Sequence, residues 1–190
     1  MKELIIKGNN TNSKILVAEK YTNVSSYLPD RPIIIVTDSN LASLYGKQFP
    51  EAPRIEVPIG EGGKNIKTIE KVISEFISYE VDRSWFVLGI GGGVVCDIAG
   101  FVASTFMRGM PFGFISTSLL SQVDASVGGK NGVNFGYFKN IVGTITQPEF
   151  VICDTSMLQT LPEPELRCGF AEIIKHGIIS GEEYFSFIDE

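Results

Sequence analysis

Residues 85–104 hold the feature that most narrows the fold. Trp85-Phe86-Val87-Leu88 reads as a fully buried strand, and Gly89-Ile90-Gly91-Gly92-Gly93 follows it directly, ahead of a helical pattern over 94–104. An apolar run without polar alternation belongs in a sheet covered on both faces, usually a parallel sheet with crossover helices. The glycine turn lets backbone amides approach an anion such as a pyrophosphate, and the helix start behind it adds a favourable dipole. The turn is not a G-x-G-x-x-G fingerprint, because counting from Gly89 puts Val94 at the last glycine position.

The same alternation of strand and helix recurs along the chain. Residues 14–18 and 33–36 read as strands, the second ending at Thr37-Asp38-Ser39-Asn40. A helix is expected over 41–49 and a short strand over 54–57. Ile66, Ile69, Val72, Ile73, Phe76 and Ile77 recur at helical spacing, so 65–79 should be an amphipathic helix. Residues 112–115 and 150–152 make two further strands. The fold class is therefore α/β, a Rossmann-like, largely parallel sheet with flanking helices. Character changes near Asp154, and Pro162 and Pro164 suit the start of a helix carrying Leu166, Phe170, Ile173 and Ile174. We expect an α/β nucleotide-binding domain over 1–155 and the truncated beginning of a helical domain over 156–190.

Composition excludes several classes. The chain has 190 residues, 44% hydrophobic and 20% charged, with net charge −6. Without a basic run it is a poor nucleic-acid binder, so its few cations suit a small anionic ligand. Cys96, Cys153 and Cys168 are odd in number and widely spaced, which argues against a disulfide framework and for a reducing compartment. No segment reaches the roughly 20 apolar residues of a membrane span, and the N-terminal apolar run is too short for a signal peptide. A soluble, cytoplasmic protein without membrane or nucleic-acid partners is expected.

Several polar residues invite both a structural and a functional reading. Asp97 lies about one turn into the helix, where a carboxylate meets the positive dipole end or reaches a bound nicotinamide or ribose. Asp38 follows a buried strand like an acid that grips a ribose hydroxyl, and it equally suits an N-cap. Gly60-Glu61-Gly62-Gly63-Lys64 is a turn that could cover the nucleotide. Asp124, Lys130 and Lys139-Asn140 sit among glycines, serines and aliphatic residues, where buried charges need partners. Lys130 and the Lys139-Asn140 pair are natural phosphate donors. Glu172 and Lys175, at i, i+3, share a helix face. Glu172 and His176, at i, i+4, could share a metal, but a catalytic divalent ion usually takes three protein ligands. His176 is accordingly read as a surface or helix-end cation.

Taken together, these motifs closely resemble the 3-dehydroquinate synthase family. The resemblance rests on Gly-Gly-Gly-Val-Val-x-Asp at 91–97, Arg108-Gly109, the block Leu119-Leu120-Ser121-Gln122-Val123-Asp124-Ala125-Ser126-Val127-Gly128-Gly129-Lys130, and Lys139-Asn140. Leu161-Pro162, Glu165 and Gly169-Phe170-Ala171-Glu172-Ile173-Ile174-Lys175 complete it. It spans roughly 37–179. Ser116-Thr117-Ser118 stands where the family more often shows Pro-Thr-Thr, and Ser118 keeps the hydroxyl.

The resemblance implies a catalytic NAD, reduced and reoxidised within one turnover, and a divalent metal, zinc or cobalt. The implied substrate is a phosphorylated sugar acid, 3-deoxy-D-arabino-heptulosonate 7-phosphate, converted to 3-dehydroquinate and phosphate in the shikimate pathway. It places Asp38, Asn40, Glu61, Lys64, Gly92, Gly93, Val94, Asp97, Thr117, Ser118, Lys130, Lys139, Thr160, Leu161 and Glu165 around NAD. Asp124, Lys130, Asn140 and Lys175 would contact substrate, and Glu172 would ligate the metal. Arg108 would reach the neighbouring subunit's site in a homodimer, and the apolar stretch Phe106-Met107-Arg108-Gly109-Met110-Pro111-Phe112 suits such an interface. Family members continue into a helical domain with two histidine ligands that His176 does not match, so the chain alone is expected to be inactive. The alternatives are another sugar-phosphate cyclase, a metal-dependent glycerol or polyol dehydrogenase, and a non-catalytic nucleotide-binding module. Gly129-Lys130 and Lys139-Asn140 favour a phosphorylated substrate.

Overall fold

The buried runs legible in the sequence become strands, and they lie parallel. The computed structural model describes residues 1–8 and 12–189; Glu190, the end of the expected helical segment, lies outside them. In chain order the strands are β1 (Lys2–Ile6), β2 (Ser13–Val17), β3 (Ile33–Asp38), β4 (Arg54–Val57), β5 (Phe86–Gly91), β6 (Phe112–Ser116), β7 (Lys130–Phe135), β8 (Phe138–Ile145) and β9 (Phe150–Cys153). The helices are α1 (Ser39–Tyr45), α2 (Ile66–Ser78), α3 (Gly93–Thr105), α4 (Glu163–Ser180) and α5 (Glu182–Asp189).

Among the described residues seven strands form one sheet in the order β1-β2-β9-β6-β5-β3-β4, while β7 and β8 pair as a separate antiparallel hairpin. Only β1, at one edge, runs antiparallel within the sheet. From β3 the chain steps outward to β4. It then crosses back to lay β5 on the other side of β3 and continues through β6 to β9. The strand order thus reverses between β3 and β5, and in open α/β sheets that reversal leaves a crevice beyond the carboxyl ends of the strands.

Each face of the sheet has its own core. On one face Ile69, Val72 and Phe76 of α2 and Val95, Ile98, Ala99 and Val102 of α3 pack on Val87, Phe112 and Phe114. On the other, Tyr21, Val24 and Met157 cover Leu16, Ile35, Leu88, Ile90 and Ile152. Burying such a side chain contributes about 1.5–3 kcal/mol, so the two layers fix the sheet firmly. Burial also pushes the Cys96 thiol up, and that of Cys153 up to about 12, which leaves both protonated; Cys168 is exposed, and all three are free. No helix among the described residues is long and apolar enough to cross a membrane.

Helix starts follow local chemistry. The Asn65 side chain accepts a hydrogen bond from the Thr68 amide at 3.1 Å and starts α2, and Pro162 precedes α4. The helix expected over 41–49 is shorter, because after Tyr45 the chain tightens into a single turn, Gly46–Gln48. Two elements lie beyond those that the sequence pattern predicts. Strand β1 leaves Leu4 and Ile5 exposed, so it lacks the buried run of its neighbours. The β7–β8 hairpin has a loop-like sequence, because Gly132, Gly136 and Gly143 interrupt it and only its first strand is largely buried.

Candidate active site

A cleft of about 1310 Å³ opens at the strand-order reversal. Its floor is the glycine turn. Gly92 precedes α3 without any side-chain cap, so the first amides of the helix keep their donors free for a ligand. The glycines are selected for room rather than for a left-handed backbone. A Cβ on Gly91 would lie 2.3 Å from Val95 Cβ, one on Gly92 3.1 Å from Ser118 Oγ, and one on Gly93 3.1 Å from Ala125 Cβ. This uncapped, side-chain-free surface fits a dinucleotide pyrophosphate.

Asp38 is the N-cap of α1 and also faces the cleft. Its Oδ1 accepts from the Asn40 and Leu41 amides at 2.9 and 3.1 Å. The loop before α2 is more fixed than its glycines suggest. Glu61–Gly63 forms one helical turn, and a Cβ on Gly63 would strike the Pro58 carbonyl at 2.7 Å. Lys64 is buried, with Nζ 2.9 Å from Asp97 Oδ2 and 3.5 Å from Glu61 Oε1. Asp97 therefore meets a lysine rather than the first turn of its helix. Burial holds its carboxyl above the ordinary range, and Lys64 only partly opposes that.

The opposite wall is the β7–β8 hairpin with the segment before it. Ser121–Ala125 forms a π-helical turn locked from beneath. Ser116 Oγ donates to Ser126 Oγ at 2.8 Å, Ser126 Oγ to the Ser121 carbonyl at 2.6 Å, and Gln122 Nε2 to the carbonyls of Ser116 and Asp154 at 3.0 Å each. This holds Asp124 at the cleft, 3.6 Å from Lys130 Nζ. Within the 119–130 block, Ser121, Gln122 and Ser126 thus brace the turn that carries Asp124. The expectation of buried cations fails: the Lys130 side chain is 66% exposed, and Lys139 and Asn140 are exposed too. Asn140 lines the cleft, whereas Lys139 does not.

Thr117, Ser118, Val94, Thr160, Leu161 and Glu165 also line the cleft. Glu172, Lys175 and His176, on α4, do not line the cleft but lie beside Asp124, which does; Lys175 pairs with Glu172, which raises the Lys175 pKa. His176 Nε2 lies 3.4 Å from Glu172 Oε1 and has no hydrogen-bond partner. One ligand atom each from Asp124, Glu172 and His176 lie within 4.8 Å of one another, a donor set that fits a divalent ion. His176 is therefore neither at a helix end nor isolated. Spacing alone misses it because the third donor, Asp124, comes from a distant segment.

Arg108 is not in this cleft. It precedes β6, at the end of the sheet opposite the cleft, and is exposed. Met107 and Arg108 both hold left-handed backbones, with φ 49° and 70°, a conformation costly for non-glycine residues. Phe106, Met110 and Phe112, expected at an interface, are buried in their own core instead, and Met107 is the exposed apolar side chain of this stretch.

The family described as 3-dehydroquinate synthase N-terminal matches residues 54–168. A 3-dehydroquinate synthase from Symbiobacterium thermophilum is 41% identical over 183 residues, covering 92% of this chain and 51% of that protein. The chain thus spans about half the length of the curated relatives it matches. Among solved structures, a 2-deoxy-scyllo-inosose synthase complexed with carbaglucose-6-phosphate, NAD+ and Co2+ superposes with TM-score 0.79 at 26% identity, over 92% of this chain and 51% of its own. The 2-epi-5-epi-valiolone synthase of Streptomyces hygroscopicus, with NAD+ and Zn2+ bound, gives 0.77 at 30% identity, over 90% and 50%. With the glycine turn, the braced 119–130 block and the match over 54–168 in agreement, the chain belongs to the 3-dehydroquinate synthase family.

Proposed function

We propose that this chain is the cofactor-binding half of a 3-dehydroquinate synthase that converts 3-deoxy-D-arabino-heptulosonate 7-phosphate to 3-dehydroquinate and phosphate, a phosphate-eliminating lyase reaction. One observation carries the reading: a single cleft at the strand-order reversal gathers the glycine turn, Asp97, Asp124, Lys130 and Asn140. In this reading residues 1–155 bind NAD and 156–190 begin a helical metal and substrate domain. A cytoplasmic location follows from the same reading.

Bound NAD would supply a transient oxidation of a substrate hydroxyl, and a divalent ion, zinc or cobalt, would polarise that hydroxyl. The free amides at the start of α3 hold the pyrophosphate, and Asp38 accepts from a ribose hydroxyl while it caps α1. Lys130 and Asn140 offer donors to the phosphorylated sugar acid, and Asp124 keeps Lys130 oriented when the site is open. Glu172 is the metal ligand, with Asp124 and His176 the nearest further donors. Lys175 neutralises Glu172 as a divalent cation would. A different sugar-phosphate cyclase is the second reading, favoured by the superposition on the inosose and valiolone enzymes, although identity to the synthases is higher.

The test uses the chain extended to the length of its relatives. Phosphate should be released from the heptulosonate phosphate with NAD at catalytic concentration and no NADH accumulation. NADH in bulk would instead mark a polyol dehydrogenase, and NAD binding without either signal a binding module. The chain alone should bind NAD weakly and release no phosphate.

A homodimer is part of the proposal, because Arg108 is far from its own cleft and held outward. Extended Arg108→Ala and Lys130→Ala proteins damage different parts of a site shared between subunits. Mixed together they should regain activity, since a heterodimer carries one site with both defects and one with neither. No recovery despite demonstrated subunit exchange would return Arg108 to its own subunit.

A further inference from the structure

We propose that Asn134 is a positioning residue that locks the Asn140 backbone to the Glu61–Lys64 loop, so that the cofactor side and the substrate side of the cleft keep one geometry. The assignment of those two sides rests on the function proposed above; the lock itself rests on hydrogen bonds.

The β7–β8 register breaks at this point. Val133 faces Val142 and Phe135 faces Phe138, so Lys139, Asn140 and Ile141 stand opposite Asn134 alone. Such a bulge re-aims side chains and costs the ladder its regular partners. Asn140 takes a left-handed backbone there, with φ 53°, and its amide has lost a strand carbonyl. The Asn134 side chain replaces that carbonyl: its Oδ1 accepts from the Asn140 amide at 2.9 Å. The other end of the same carboxamide reaches across the cleft wall, where Nδ2 donates to Glu61 Oε1 at 2.9 Å. The Asn134 amide in turn donates to the Lys64 carbonyl at 2.9 Å, which makes a short parallel bridge to the residue before α2.

One planar group thus bonds both walls at once. A carboxamide offers an acceptor and a donor from one rigid plane on a short stem. Asparagine is demanded because the Asn140 amide needs an acceptor while the Glu61 carboxylate needs a donor. Aspartate would serve the first and repel the second. That asymmetry supplies the test.

The measurement is amide hydrogen exchange by NMR on the whole chain, with Asn134→Ala and Asn134→Asp compared with wild type. Asn134→Ala should speed exchange at the Asn140 amide about tenfold, the loss of one hydrogen bond. Asn134→Asp should keep that amide within about twofold of wild type, because a carboxylate oxygen still accepts from it. Adding NAD should slow Asn140 exchange in wild type and leave it unchanged in Asn134→Ala. Unchanged Asn140 exchange in Asn134→Ala, equal acceleration in both variants, or equal slowing by NAD in wild type and Asn134→Ala would overturn the lock. If Asn134→Ala does not fold, Asn134→Asp decides: a folded variant with an unprotected Asn140 amide defeats the proposal. Absence of NAD binding by wild type counts against the functional reading, while the ligand-free exchange rates still judge the lock.

Discussion

Lys64→Ala should destabilise the chain by about 3 kcal/mol at neutral pH, the low end of the range for removing one partner of a buried ion pair. Lys64 is 7% exposed and Asp97 17%, so the remaining carboxylate gets little help from water. Its titration supplies a signature that lost packing would not. The Asp97 carboxyl is already held above its ordinary value of 3.8 by burial, and Lys64 is the main influence lowering it. A carboxyl raised in the folded state adds stability below its unfolded pKa and loses that contribution as pH rises through the folded pKa. Without Lys64 the folded value climbs further, and the loss grows. The gap between wild type and Lys64→Ala should therefore be wide at neutral pH and narrow toward about pH 4. Urea unfolding at both pH values measures it, and an equal gap at both would assign the effect to packing.

Gly100→Ala should cost about 1–3 kcal/mol, where the same exchange in an open helix would gain up to about 1 kcal/mol. A Cβ there would lie 1.9 Å from Asn131 Oδ1 and 3.1 Å from Phe114 Cζ. Asn131 cannot easily swing aside. It is 4% exposed, and its Nδ2 donates to the carbonyls of Gly129 and Thr146 at 2.9 and 3.0 Å, which closes the base of the hairpin. The methyl group would lift β7 from α3 and carry Lys130 and Asn140 away from the glycine turn. Weaker ligand binding should thus accompany the lost stability. Gly62→Ala is the control: a Cβ at that position meets nothing within 4 Å, and its stability should change by no more than about 0.5 kcal/mol. Matching denaturation midpoints for the two variants would show that the hairpin gives way without cost.

The parallel sheet and the floor of the cleft are legible in the sequence because local chemistry dictates them. Phe86-Val87-Leu88 has no polar alternative to burial, and a glycine turn after it has few other uses. Asn65 and Pro162 mark helix starts through groups within a turn of themselves. The Lys64–Asp97 pair is not legible, since its members stand on separate elements and each alone reads as a surface charge. The same holds for His176, whose neighbour Asp124 arrives on a distant turn. Exposure is misjudged at Lys130, Lys139 and Asn140 because a glycine-rich context suggests enclosure, whereas here it makes a hairpin with one open face. Around Arg108 the apolar residues are evident in the sequence but their direction is not: Phe106 and Met110 turn inward, and the left-handed Met107 and Arg108 turn the chain between them.

The position of β2 constrains how the chain reaches this structure. Lys14 pairs with Phe150 and Val17 with Cys153, so β2 waits for a strand that follows β3 to β8 in the chain. Until β9 emerges, β1 and β2 form at most a lone two-stranded ribbon, which is marginal in water, with Ile15 and Leu16, both buried in the finished sheet, unprotected. Long-range pairing of this kind slows folding and prolongs the life of sticky strand edges. The β1–β2 ribbon is thus secured only once β9 has taken its place beside β2.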